Sequence, residues 1–164
     1  MGSKRLVLAV DNSKVTSETG EECLKALDFA LEHFPTGYSY HLVHMQPRPF
    51  VSAVVVDVVC CQYDYENKQA MTAAAASNKF MDEVFVPRAK SAGADVCALV
   101  LAVDSDNSSQ IGAAICKYAE ETTADAVILM RENKSEVSRF LMGSVTRYCA
   151  VNSPIPVVIV PNTI

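Results

Sequence analysis

Short apolar runs alternate with amphipathic stretches along the whole chain, and the alternation predicts its elements. Arg5–Val10 (RLVLAV) is apolar throughout and ends in the turn formers Asp11-Asn12-Ser13, so it reads as a buried strand. Ser17 and Thr19 offer N-caps to a helix whose apolar positions, Cys23, Leu24, Leu27, Ala30, Leu31 and Phe34, recur at helical spacing. Pro35-Thr36-Gly37 stops it. Tyr38–Met45 is the second strand, ended by Gln46-Pro47-Arg48-Pro49. Residues 50–65 follow two prolines and read as an ordered loop packed on the body, with an extra edge strand as the alternative. Glu66–Ala89 is rich in alanine and predicts a helix with Met71, Ala74, Ala75, Asn78, Met81, Asp82 and Phe85 on one side. Pro87 is placed to kink or end it. A third strand, Ala94–Val103, follows Gly93. Asp104–Ser109 is a polar turn, and Ile111–Glu121 is a helix with Ile111, Ala114, Ile115, Tyr118 and Ala119 as its apolar stripe. The last part, from Asp125 to Pro161, gives a strand (Ala126–Met130), a polar loop, Gly143-Ser144 opening a short helix, and a final strand (Pro156–Val160).

Strands that alternate with helices and are apolar throughout predict an open, doubly wound, Rossmann-like α/β fold. A parallel sheet is then covered by helices on both faces. Ligands of such sheets bind beyond the carboxyl ends of the strands, where the strand order reverses. The positions to watch are therefore Asp11, the residues after Val43, and the loop from Met130. Gly143-Ser144 is a candidate phosphate seat, because a glycine lets an anion approach the backbone and the N–H groups of a helix start point at it. A helix start alone, with serine as its cap, explains the same pair.

Composition narrows the partners. One domain over residues 1–164 suits the length, and half of the residues are apolar, enough for a substantial core. A net charge of −5 argues against nucleic acid and against an anionic membrane surface. No run approaches the ~20 apolar residues of a membrane span. The apolar segment after Met1 is short for a signal peptide, and Leu6 stands where myristoylation favours serine or threonine. A cytoplasmic protein is the expectation. The six cysteines are irregularly spaced without a CxxC, so Cys23, Cys97, Cys116 and Cys149 are expected as buried thiols, and Cys60-Cys61 is the pair to test for redox chemistry. His41 and His44 lie at odd separation in one strand and are expected on opposite faces, so they form no metal site between them. Ser144 lacks a GxSxG context and a nearby histidine base, so no catalytic residue is assigned.

The stretches LVLAVDNS, HLVHMQP and LMGSVTRYCAVNSPIPVVIVP together resemble the universal stress protein family. The resemblance runs through the chain in element order and is weakest over residues 50–92. It implies a five-stranded sheet in the order 3-2-1-4-5 and a homodimer in which the last strands, here Pro156–Val160, pair. It also implies ATP or AMP as ligand in many members, with or without Mg²⁺. The aspartate near ribose and phosphates maps to Asp11, and the residue meeting adenine through its backbone maps near Val43. The family's phosphate loop reads Gly, two residues, Gly, nine residues, then Gly-Ser or Gly-Thr. Counted back from Gly143, its first two glycines fall on Met130 and Asn133, so only the tail Gly143-Ser144-Val145 is kept. Asn133 tolerates a left-handed turn, but the Cβ of Met130 crowds a close backbone approach. Glu132 and Glu136 add negative charge, while Arg131, Lys134 and Arg139 offer phosphate contacts that need no glycine. Two functional readings stand: an adenine-nucleotide-binding stress-response module with an altered loop, in which any hydrolysis is slow, or a dimeric interaction protein of the same fold that has lost the nucleotide.

Overall fold

The computed structural model describes residues 4–10, 20–34, 36–48, 59–131 and 143–161. Five parallel strands form one sheet in the order β3-β2-β1-β4-β5. They are β1 (Lys4–Ala9), β2 (Tyr38–Pro47), β3 (Asp95–Val103), β4 (Ala126–Met130) and β5 (Val157–Val160). Between them lie α1 (Gly20–His33), α2 (Val59–Phe80), a π-helical turn (Met81–Phe85), α3 (Val86–Ser91), α4 (Ser108–Glu121) and α5 (Ser144–Asn152).

The sheet is buried on both faces because each strand sends alternate side chains to opposite layers. Leu6 and Leu8 of β1, Tyr40 and Leu42 of β2, and Ala126 and Ile128 of β4 join Leu27, Ala30, Met81 and Phe85 in one core. The odd positions, Val7, Val43, Val127 and Leu129, join Ile115, Cys116, Ala119 and Cys149 in the other. Thus α1, the π turn and α3 cover one face, and α4 and α5 cover the other. Each core removes several fully buried aliphatic or aromatic side chains from water, about 1.5–3 kcal/mol apiece.

Local chemistry moves several boundaries. Asn107 caps α4: its Oδ1 accepts from the Ser109 N–H at 2.8 Å, so the helix begins at Ser108, ahead of the first apolar position. Residues 59–65 are helical, not loop or strand, and residues 49–58 lie outside the described residues. The inward side of α2 also differs from the expected stripe. Met71 is 74% exposed and Ala75, Asn78 and Asp82 are exposed, while Ser77, Met81 and Phe85 face in. The π turn accounts for part of this shift, because the Val86 N–H bonds the Met81 carbonyl five residues back and rotates the helix beyond it. The wide turn directly precedes Pro87, whose ring would clash with an α-helical carbonyl four residues before it. Gly93 then closes the element at φ 76°, a left-handed conformation that suits glycine.

Thiols separate by strand position. Cys116 and Cys149 are buried, as expected, but Cys97 is exposed. It sits on β3, the outer strand, whose α4-side positions Asp95 and Cys97 are uncovered. Cys23, Cys60 and Cys61 lie where side chains are outside the described residues.

Candidate functional site

Strand order reverses at β1, which has β2 on one side and β4 on the other. The carboxyl ends of these three strands and the start of α5, which comes after β4 in the chain, therefore share one edge of the sheet.

The β1–β2 ladder fixes which backbone groups face that edge. Pairing runs from Lys4↔Tyr38 to Ala9↔Val43, and the Val10 N–H donates to the Val43 carbonyl at 2.9 Å. Val43 is fully buried with its side chain in the α4–α5 core. Its carbonyl is thus spent inside the sheet, and the residue mapped to adenine does not offer it to a ligand. Backbone direction alternates along a strand, so the next residue of the same orientation is Met45. β2 continues beside β3 as far as Pro47↔Val103, four residues beyond its last pairing with β1. The Met45 N–H and C=O accordingly face the β1 side of β2 beyond the last β1 rung.

His44 is 7% exposed, and its Nδ1 lies 2.9 Å from the Val10 carbonyl. A carbonyl only accepts, so Nδ1 carries the proton. His41 points to the other face, where its Nδ1 hydrogen-bonds the Tyr118 hydroxyl at 2.7 Å. Burial, and then the nearby Arg5 guanidinium, lower the His41 pKa against a smaller opposing effect of Asp95. The two histidines are separated by the sheet. Among the described residues, no group of three or more His, Cys, Asp or Glu is arranged to hold a metal ion.

At the end of β4, Met130 is half-buried and packs against the α1-side core. Its side chain is thus turned toward α1, whereas α5 covers the opposite face. Arg131 is next; its N–H donates to the Val160 carbonyl at 2.8 Å. The Arg131 Nε is buried with no hydrogen-bond partner among the described residues.

Gly143, rather than Ser144, is the N-cap of α5, and being glycine it supplies no side-chain cap. Its φ of −55° and ψ of 148° are open to any residue. The first helical bond runs from the Arg147 N–H to the Gly143 carbonyl at 2.8 Å. The N–H groups of Ser144, Val145 and Thr146 therefore have no helical partner and carry the positive end of the helix dipole. Val145 packs on the α4–α5 core and Thr146 is buried, which holds this turn in place. Behind it α5 presses closely on α4. A Cβ built on Gly112 would lie 2.7 Å from Tyr148 Cδ1, and the Cys149 thiol donates to the Gly112 carbonyl at 3.6 Å. Burial, and then the neighbouring Cys116, push the Cys149 pKa up to about 12, so this thiol is a packing group and not a nucleophile.

Val43, Met130, Arg131, Gly143, Ser144 and Val145 are thus at the carboxyl side of the sheet, while Asp11 and Asn133 lie outside the described residues. The strand register, which the sequence does not show, leaves the Met45 backbone on the β1 side beyond the last rung, where the Val43 carbonyl is already bonded. A separate shallow groove of about 490 Å³ lies between α1 and α3, lined by Asp28, Leu31, Glu32, Arg88, Ser91 and Ala92. It is at the amino end of the sheet, crossed by the exposed Arg88–Asp28 ion pair at 2.7 Å, and is remote from the switch point.

An open parallel sheet with a switch point and helices on both faces defines a Rossmann-like α/β protein. The chain belongs to the universal stress protein family, whose model matches residues 2–161. No curated protein sequence matches it significantly. Among solved structures, universal stress protein UspA from Lactobacillus plantarum shares the fold at a TM-score of 0.67 and 14% identity, covering 98% of this chain and 99% of that one. A family member from Arabidopsis thaliana with AMP bound has a TM-score of 0.60 and 18% identity, covering 98% and 92%. The universal stress protein from Archaeoglobus fulgidus in complex with dAMP has a TM-score of 0.54 and 21% identity, covering 97% and 98%. No described helix is long and apolar enough to cross a membrane.

Proposed function

We propose that this chain binds an adenine nucleotide, ATP or AMP, at the carboxyl edge of the sheet between β1 and β4, and serves as a cytoplasmic stress-response module. The observation that carries the reading is the pairing of two complementary surfaces on one edge. Adenine presents a ring-nitrogen acceptor beside an exocyclic amino donor. The Met45 N–H and C=O offer the matching donor and acceptor on the strand side. Phosphates would take the open N–H groups of Ser144, Val145 and Thr146, with Arg131 supplying charge from the end of β4. Asp11 and Asn133 are assigned to the ribose and the phosphate turn by family resemblance. A Mg²⁺ ion bound with ATP would look to Asp11 for a carboxylate ligand. Relatives with AMP and dAMP bound support the class of ligand.

Met130, in place of the loop's first glycine, is the residue that speaks most strongly against binding. Its side chain is turned into the α1-side core, which removes part of that objection. The substitution still favours a second reading, a dimeric interaction protein without nucleotide. In either reading β5, which among the described residues pairs on one side only, with β4, is the proposed homodimer edge.

Calorimetric titration with ATP, ADP and AMP, with and without Mg²⁺, separates the readings. Saturable binding that weakens roughly tenfold or more in Arg131→Ala supports the first, since a charge-assisted hydrogen bond is worth ~1.5–3 kcal/mol. No heat and no thermal shift at millimolar nucleotide, with a dimer by light scattering, supports the second.

A further inference from the structure

The end of the β1–β2 ladder is a built feature. In a regular parallel ladder the Val10 residue, whose N–H already bonds the Val43 carbonyl, would next accept from the Met45 N–H. That rung is absent: pairing stops at Ala9↔Val43. The Val10 carbonyl is not abandoned, because the His44 imidazole takes it at 2.9 Å. A half-buried carbonyl at the end of a ladder still needs a donor, and the imidazole supplies it. His44 is the residue between Val43 and Met45 and is itself buried, so it is held in place to do this.

We infer that His44 is a positioning residue for ligand binding: its Nδ1–H replaces the last backbone rung, satisfies the Val10 carbonyl, and leaves the Met45 amide directed at the ligand edge. The inference rests on the proposed nucleotide site for its purpose, but the ladder itself is measurable without any ligand. A donor side chain is needed at this one position. Without it, the Val10 carbonyl captures the Met45 N–H, the two strands zip one rung further, and the ligand loses a donor. A positively charged imidazole is not required, since the neutral Nδ1–H form already donates.

The experiment uses the full chain labelled with ¹⁵N, with hydrogen exchange followed by NMR and AMP affinity by calorimetry. Native Met45 amide exchange is expected to be much faster than that of Val43. In His44→Leu, Met45 exchange is expected to slow at least tenfold while Leu42 and Val43 are unchanged, and AMP affinity to fall at least tenfold. His44→Asn carries an amide N–H near the Nδ1 position and is expected to keep both properties close to native. A native Met45 amide as protected as Val43, or one unchanged by His44→Leu, overturns the inference. Long-range ¹H–¹⁵N spectra of the native imidazole provide a second readout that needs no variant: Nδ1–H supports it, and an Nε2–H tautomer with bare Nδ1 overturns it. Should the exchange and tautomer results hold while AMP fails to bind the native chain, the ladder inference stands and the nucleotide reading falls.

Discussion

The close approach of α4 and α5 makes Gly112→Ala a decisive substitution. Helix propensity alone predicts that it stabilises, since alanine is about 1 kcal/mol better than glycine in a helix interior. Packing predicts the opposite. The added Cβ meets Tyr148 Cδ1 at 2.7 Å and Tyr148 Cβ and Cγ at 3.0 Å, against an ordinary carbon contact of ~3.5–4.0 Å. Two of these three atoms lie at the base of the side chain, so rotating the ring cannot clear them. The helices must part by several tenths of an ångström, and overpacking of this kind costs ~1–3 kcal/mol. The net is a loss of roughly 0–2 kcal/mol. In a domain of this size each kilocalorie shifts Tm by ~2–4 °C. Urea denaturation of Gly112→Ala, Tyr148→Ala and the double variant closes the cycle. A coupling of about 1 kcal/mol is expected, with the double variant less damaged than the sum of the singles. Because α5 carries the open N–H groups at Ser144–Thr146, the single variant should also bind AMP more weakly. A Gly112→Ala protein stabilised by about 1 kcal/mol, or an additive cycle, refutes the reasoning.

Other consequences concern titration and thiol chemistry. His41 has a lowered pKa in the folded state, so the folded chain binds fewer protons there than the unfolded chain. Its contribution is complete above the unfolded value near 6.5 and is lost as pH falls from there through the lowered folded pKa. Stability should therefore drop less between pH 7 and pH 5 in His41→Asn than in the native chain, as read by urea midpoints; equal drops contradict this. Among the described thiols, Cys97 should alkylate at least tenfold faster than Cys116 or Cys149 under native conditions, measured by mass spectrometry, and equal rates would contradict the edge position of β3.

All five strands are legible in the sequence because each reads as a largely apolar run. Their order comes from family resemblance, which the sheet matches. The hidden features depend on register or on single polar bonds. The family resemblance maps the adenine contact near Val43, toward the end of the second strand. Only the pairing to β1 reveals that its carbonyl is taken and that Met45 is the next residue of the same orientation. Cys97 is expected inside because β3 reads like its neighbours, but it is an outer strand with an open end on its α4 side. Part of the phase of α2 escapes because a π turn inserts an extra residue, which no 3.6-residue pattern anticipates. Gly112 draws no attention in the sequence, since a glycine in a helix shows its purpose only when the partner helix is in view. The start of α5 at Gly143-Ser144 is legible from local sequence, because a helix start is a local device.

The central claim is that the carboxyl edge between β1 and β4 holds an adenine nucleotide. Amide chemical shifts of the ¹⁵N-labelled chain titrated with AMP test it most directly. The account predicts saturable shifts at Met45, Arg131 and Ser144–Thr146, with the α1–α3 groove around Asp28 and Arg88 unmoved. Silence at millimolar AMP, or shifts confined to that groove, contradicts it.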